Sequence, residues 1–123
     1  MSFPAGGFKV ALQAKIIDNV GIIKTRGSLI GDSDTDEVRE KVKTMIDSGI
    51  RHIVIDLARV RWMNSRGVGM LMACYSTIYP AEGKIALTRI PEKVLSIMRI
   101  TRVDALFDHF DSIRQAVKNY RRL

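Results

Sequence analysis

WMNSRGVG, residues 62–69, joins two different local patterns. Before it, Ile53-Val54-Ile55 is a β-branched run of the kind found in strands buried on both faces. After it, from Arg66 to Tyr79, apolar residues recur at helical spacing, with Val68, Leu71, Met72, Tyr75 and Tyr79 on one face. The stretch therefore reads as a strand-to-helix junction, with Asn64-Ser65 at the turn and glycines at 67 and 69.

Outward from that junction the two periods keep alternating. Phe8, Val10, Leu12, Ala14 and Ile16 alternate with Lys9, Gln13 and Lys15, the period of a strand with one buried face. Asp18-Asn19 is turn chemistry, and Val20 to Arg26 closes a hairpin. Ser33 to Glu37 starts a helix, with Asp34 and Glu37 at capping-box spacing. Val38, Val42, Met45 and Ile46 form its apolar stripe, and Gly49 stops it. Lys84 to Thr88 is a strand, and Pro91 opens a helix with Val94, Leu95 and Met98 inward. Leu106-Phe107 reads as a short last strand. Asp111-Ser112 caps a final helix whose face is Ile113, Ala116, Val117 and Tyr120. The order ββαβαβαβα predicts one α/β domain, a mixed β-sheet of about five strands packed with about four helices. Residues 8–123 form the expected domain and residues 1–7 a flexible leader.

Composition narrows the function classes. The chain has 123 residues, 46% of them hydrophobic, enough for one core without staples. One cysteine, Cys74, excludes a disulfide framework within the chain and suits a cytoplasmic setting. No apolar run approaches a bilayer span, and the N-terminus has no signal-peptide pattern. The net charge is +7, but the basic residues are scattered, with Arg121-Arg122 the longest run. That distribution speaks against a nucleic-acid stripe. His52, His109 and Cys74 have no metal-site spacing, and no cofactor motif is present.

Ser65 has four candidate roles at such a junction. The plainest is a helix cap, with Asn64 or Ser65 satisfying a free N–H. A hydrolase elbow needs G-x-S-x-G, and here Met63 takes the place of the first glycine, with only His52 and His109 as bases. A dinucleotide loop needs a third glycine where Met72 stands. A phosphorylation switch uses the whole stretch. A helix N-terminus tolerates an anion, a dianion changes what docks there, and Arg59, Arg61 and Arg66 are candidate partners for it.

Ile55-Asp56-Leu57, Val60, Trp62-Met63-Asn64-Ser65, Gly67-Val68-Gly69 and Leu71 together resemble the STAS domain, the module of sulphate transporters and anti-sigma factor antagonists. Arg26-Gly27-Ser28-Leu29 is similar to the family's G-x-L turn, and the resemblance runs over residues 8–118. It implies a bacterial protein-binding switch rather than an enzyme. The unmodified form would bind an anti-sigma factor that is itself a serine kinase, the kinase would phosphorylate the serine after Asp or Asn, and a serine phosphatase would restore it. By the motif Ser65 is that serine, and the partner surface is Arg61, Asn64, Ser65, Arg66, Gly67, Val68 and Met70. The alternatives are a STAS adaptor or scaffold without Ser65 phosphorylation, and a basic anion- or nucleotide-binding module. Arg66 stands where the family often has Ser or Thr, and Ile30 where its turn usually has aspartate.

Among the remaining residues, Trp62 reads first as core and second as interface. Asp56 reads as a satisfier of backbone groups in the loop after its strand. Cys74 reads as an inert packed thiol.

Overall fold

The computed structural model describes residues 12–123, so the expected leader and the strand positions Phe8 and Val10 lie outside the described residues. The elements are β1 (Leu12–Ile17), β2 (Val20–Leu29), α1 (Asp32–Asp47), β3 (His52–Met63), α2 (Ser65–Ile78), β4 (Lys84–Thr88), α3 (Glu92–Ile100), β5 (Asp108–Phe110) and α4 (Ile113–Tyr120). The order ββαβαβαβα is the one expected. One five-stranded sheet has the spatial order β1-β2-β3-β4-β5. Among the described residues only β1 and β2 pair antiparallel, through the Asp18-Asn19 turn, and every later pairing is parallel.

Because each parallel strand is laid on the same side of its predecessor, right-handed crossovers put α1, α2 and α3 on one face of the sheet. That face carries the larger core, in which Ile23, Ile53, Ile55, Leu57 and Leu87 meet Val38, Val42, Leu71, Val94 and Met98. Among the described residues α4 is the helix that covers the other face. There Val20, Ile22, Val54 and Ala86 pack on Ala116, Val117 and Tyr120. The central strands are therefore apolar on both faces where both are covered, as their β-branched run requires.

Four expectations are corrected. Ala14 and Ile16 of β1 are exposed, because β1 is an edge strand that little covers; only Leu12 and Ile17 are half-buried. The last strand is residues 108–110 rather than Leu106-Phe107, which end a 3-10 turn with Phe107 buried. In α1 the cap position is Gly31, one turn before Asp34, with no side-chain cap bond. Pro91 flanks α3 as its cap instead of occupying the first turn. The expected α4 cap is present: Ser112 Oγ accepts from Gln115 N at 3.1 Å.

His52, at the start of β3, accepts a hydrogen bond on Nδ1 from the Lys84 amide at 3.1 Å and lies against the Tyr120 ring. Burial, reinforced by Lys84 and Arg51, holds its pKa below the ordinary 6.5. The folded state thus binds fewer protons than the unfolded chain, so this contribution is present above pH 6.5 and is lost as pH falls through the folded value. Thermal unfolding followed between pH 7.5 and 5 is expected to show a falling midpoint, with a shallower fall for His52→Gln.

Candidate functional site

The junction at residues 62–69 forms where β3 ends beside the end of β2. Leu29 pairs with Met63, and the Asn64 amide reaches Leu29 O at 3.5 Å. Asn64 has extended backbone geometry and is the cap of α2. Its Oδ1 accepts from Arg66 N at 3.0 Å and Gly67 N at 3.4 Å, and its Nδ2 donates to Ile30 O at 3.4 Å. One side chain thus satisfies two helix amides and ties the turn to the end of β2.

The division of labour at Asn64-Ser65 follows. Asn64 does the capping, so Ser65 is not needed for it. Ser65 is the first residue of α2 and is exposed, and its hydroxyl makes no hydrogen bond among the described residues. Gly67 is buried, and a Cβ there would meet Met63 Cγ and come within 2.7 Å of Leu29 O. It lets the helix start lie directly on β2. Gly69 has nothing within 4 Å of such a Cβ and faces outward.

The helix phase differs from expectation by one position. The buried residues of α2 are Gly67, Val68, Met70, Leu71, Cys74 and Ile78. Met72 and Tyr79, expected inward, are 50% and 68% exposed. The residues expected to meet a partner fall in different environments. Arg61, Ser65 and Arg66 are at the surface and Asn64 is half-buried, whereas Gly67, Val68 and Met70 face the core. Met70 is only 2% exposed. In its place an outward stripe runs Ser65, Gly69, Met72, Ser76 and Tyr79, at spacings of three and four. Trp62 is 43% exposed and Ile30 44%, both beside the junction, so Trp62 is surface rather than core. A register shift that leaves Arg61 between the paired Val60 and Trp62 accompanies that exposure.

The geometry removes the hydrolase reading. His52 lies at the far end of β3, roughly 36 Å from Met63 at about 3.3 Å per residue. His109 pairs with Leu87, which pairs with Ile55, eight positions before Met63. Neither imidazole reaches Ser65. Arg59 is four positions before Met63, about 13 Å along the strand, and lines a separate cavity.

Asp56 is not followed by a loop; it sits inside β3, 3% exposed. Its Oδ1 accepts from the Ala58 amide at 3.1 Å, and its Oδ2 from Thr88 Oγ1 at 2.8 Å and Arg89 Nε at 2.9 Å. It bridges β3 to the end of β4. Cys74 is buried, donates toward Met70 Sδ at 3.7 Å, and burial pushes its pKa up to about 12. The folded protein is expected to resist thiol alkylation at pH 8 and to react fully in denaturant, as counted by mass. Among the described residues no cluster of His, Cys, Asp and Glu could hold a metal, and no helix is long and apolar enough to cross a membrane.

Comparison with known proteins agrees with this architecture. A crystal structure from Thermotoga maritima, described as a candidate anti-sigma factor antagonist, superposes with a TM-score of 0.80 at 23% identity, covering 89% of this chain and 94% of that one. The anti-sigma factor antagonist SpoIIAA in its unphosphorylated form gives 0.78 at 19% identity, covering 92% and 98%. The Bacillus cell fate determinant SpoIIAA in its phosphorylated form gives 0.66 at 18%, covering 89% and 98%. The STAS-domain family model matches residues 11–116. The chain belongs to the STAS domain family and has the fold of the anti-sigma factor antagonists.

Proposed function

We propose that this protein is an anti-sigma factor antagonist switched by phosphorylation of Ser65. Unmodified, it binds and sequesters an anti-sigma factor that is a serine kinase; phosphorylated, it releases it, and a serine phosphatase resets it. It acts as a cytoplasmic bacterial regulator of transcription and performs no catalysis of its own.

The observation that carries this reading is the separation of roles at the junction. Asn64 caps the helix, which leaves the Ser65 hydroxyl exposed and without a hydrogen bond among the described residues. A serine that held the turn together could not be modified without cost. This one can. Its phosphate would lie at the positive end of a 14-residue helix, so the helix tolerates the charge. The dianion would stand at the head of the Ser65–Gly69–Met72–Ser76 stripe, at a turn whose strand ends carry the exposed Ile30 and Trp62. A partner seated on those apolar groups would have to desolvate it. The solved phosphorylated and unphosphorylated forms of SpoIIAA support the same reading by likeness of fold.

The test is a paired capture from lysate of the source cells with the Ser65 protein and Ser65→Asp as baits. A serine-kinase anti-sigma factor retained by the first and lost by the second is the expected result. Identical non-kinase partners on both baits would leave a STAS adaptor in place of a switch.

A further inference from the structure

The sheet has a second exposed region that the Ser65 surface does not use. α4 is eight residues long, about 12 Å at 1.5 Å per residue. It covers Val20, Ile22, Val54 and Ala86, but the same face continues past it toward the C-terminal ends of β2, β3 and β4. There Lys24, Asp56 and Thr88 stand in register across three strands. A cavity of about 560 Å³ opens at this place. That is a small-molecule size, and the cavity sits midway along β2 and β3 and just past the end of β4.

The lining is cationic. Lys24, Arg26, Arg59 and Arg89 contribute to it, and Asp56 is its one acid. Asp56 is committed to Arg89 through Nε, which leaves the outer guanidinium nitrogens of Arg89 available. Lys24 and Arg59 make no ion pair among the described residues. Two backbone features aim this group of cations. Arg89 has φ +51°, a conformation a long side chain rarely adopts. The register between β2 and β3 slips between Lys24 and Arg26, so that Arg59 falls opposite Arg26. Irregularities of both kinds gather at binding sites. Thr25, another lining residue, buries a hydroxyl with no hydrogen-bond partner among the described residues.

We infer that this cavity binds a small phosphorylated metabolite, its phosphate held by Lys24, Arg59 and the outer nitrogens of Arg89. Guanidinium forks beside an ammonium suit a phosphate dianion, and Asp56 fixes the fork in place. The site is separate from the Ser65 surface: Arg59, its lining residue furthest along β3, is about 13 Å from Met63.

The test is an amide NMR titration of the full chain with inorganic pyrophosphate, against sodium chloride at equal ionic strength. Saturable shifts confined to residues 24–26, 56–59 and 89 are expected with pyrophosphate and not with chloride. The Lys24→Gln/Arg59→Gln double variant, both side chains being at least partly exposed, should keep the dispersed spectrum of a folded protein. It should bind about tenfold more weakly or worse, the loss of roughly 1.4 kcal/mol. Arg114→Gln, on α4, should change nothing. Equal shifts with both salts, shifts centred on Arg114, Lys118 and Arg121, or full affinity in the double variant would each overturn the inference.

Discussion

Gly67→Ala is expected to destabilise the fold by about 2 kcal/mol and lower the unfolding midpoint by roughly 5–10 °C. Two opposing effects set that number. Alanine is the better helix former by about 1 kcal/mol. Against it, the new methyl would press on Met63 Cγ and lie 2.7 Å from Leu29 O. The methionine side chain can swing aside; the carbonyl belongs to β2 and cannot move without lifting the start of α2 off the sheet. Overpacking of this kind costs about 3 kcal/mol at the upper end of its range, so the clash wins. Gly69→Ala supplies the opposite sign two residues on. Nothing lies within 4 Å of its would-be Cβ, so the helix gains about 0.5–1 kcal/mol. The pair, measured by denaturant unfolding, separates a glycine required by packing from one that keeps the outward stripe low. Equal effects at the two positions would contradict the geometry of the junction.

Ser65→Asp is expected to weaken partner binding about 100-fold, the equivalent of roughly 2.7 kcal/mol, with no loss of stability. The first half follows from desolvation. A carboxylate at the head of the exposed stripe must be desolvated when a partner seats there, and burying such a charge costs several kcal/mol. The second half follows from the helix. Position 65 is the first residue of α2, where a negative charge contributes about 0.3–1 kcal/mol of stability. Calorimetric titration with the captured partner, alongside a melting curve, measures both. Ser65→Ala should bind as the parent does, because the hydroxyl holds no hydrogen bond among the described residues. A melting point that falls with Ser65→Asp would mean that the serine, and not Asn64 alone, holds the turn.

Much of this was readable in the sequence, for identifiable reasons. The element order followed from clean changes of period, and the junction followed from a polar turn between two strongly patterned segments. What escaped was set by context. β1 has an alternating pattern, but an edge position leaves Ala14 and Ile16 exposed whatever their hydropathy. In α2 nearly every residue is apolar or small, so two adjacent helical phases fit almost equally well, and glycine carries no hydropathy signal. The observed phase, with Gly67, Met70 and Cys74 inward, puts Met72 and Tyr79 at the surface and Met70 beneath it. Close packing at Gly67 is the physical reason, and it depends on Leu29, 38 residues earlier in the chain. Asp56 reads as a strand end only because Leu57-Ala58-Arg59 looks less β-like than the run before it. It does take the amide of Ala58 after it, but its side-chain partners, Thr88 and Arg89, come from the neighbouring strand's end, and no local spacing announces them. The cationic cavity was hidden for the same reason. Its cationic side chains come from β2, β3 and the residue after β4, and a scattered charge in sequence is gathered there by register.

The most direct measurement of the central claim is the position of a phosphate. The purified protein, incubated with ATP and the kinase that its Ser65 form captures, should gain one phosphate by intact mass, with fragmentation placing it on Ser65. Ser65→Ala should gain none and should stay bound to the kinase. A phosphate at another residue, or none with an active kinase, would contradict the switch and leave the junction as a helix start capped by Asn64.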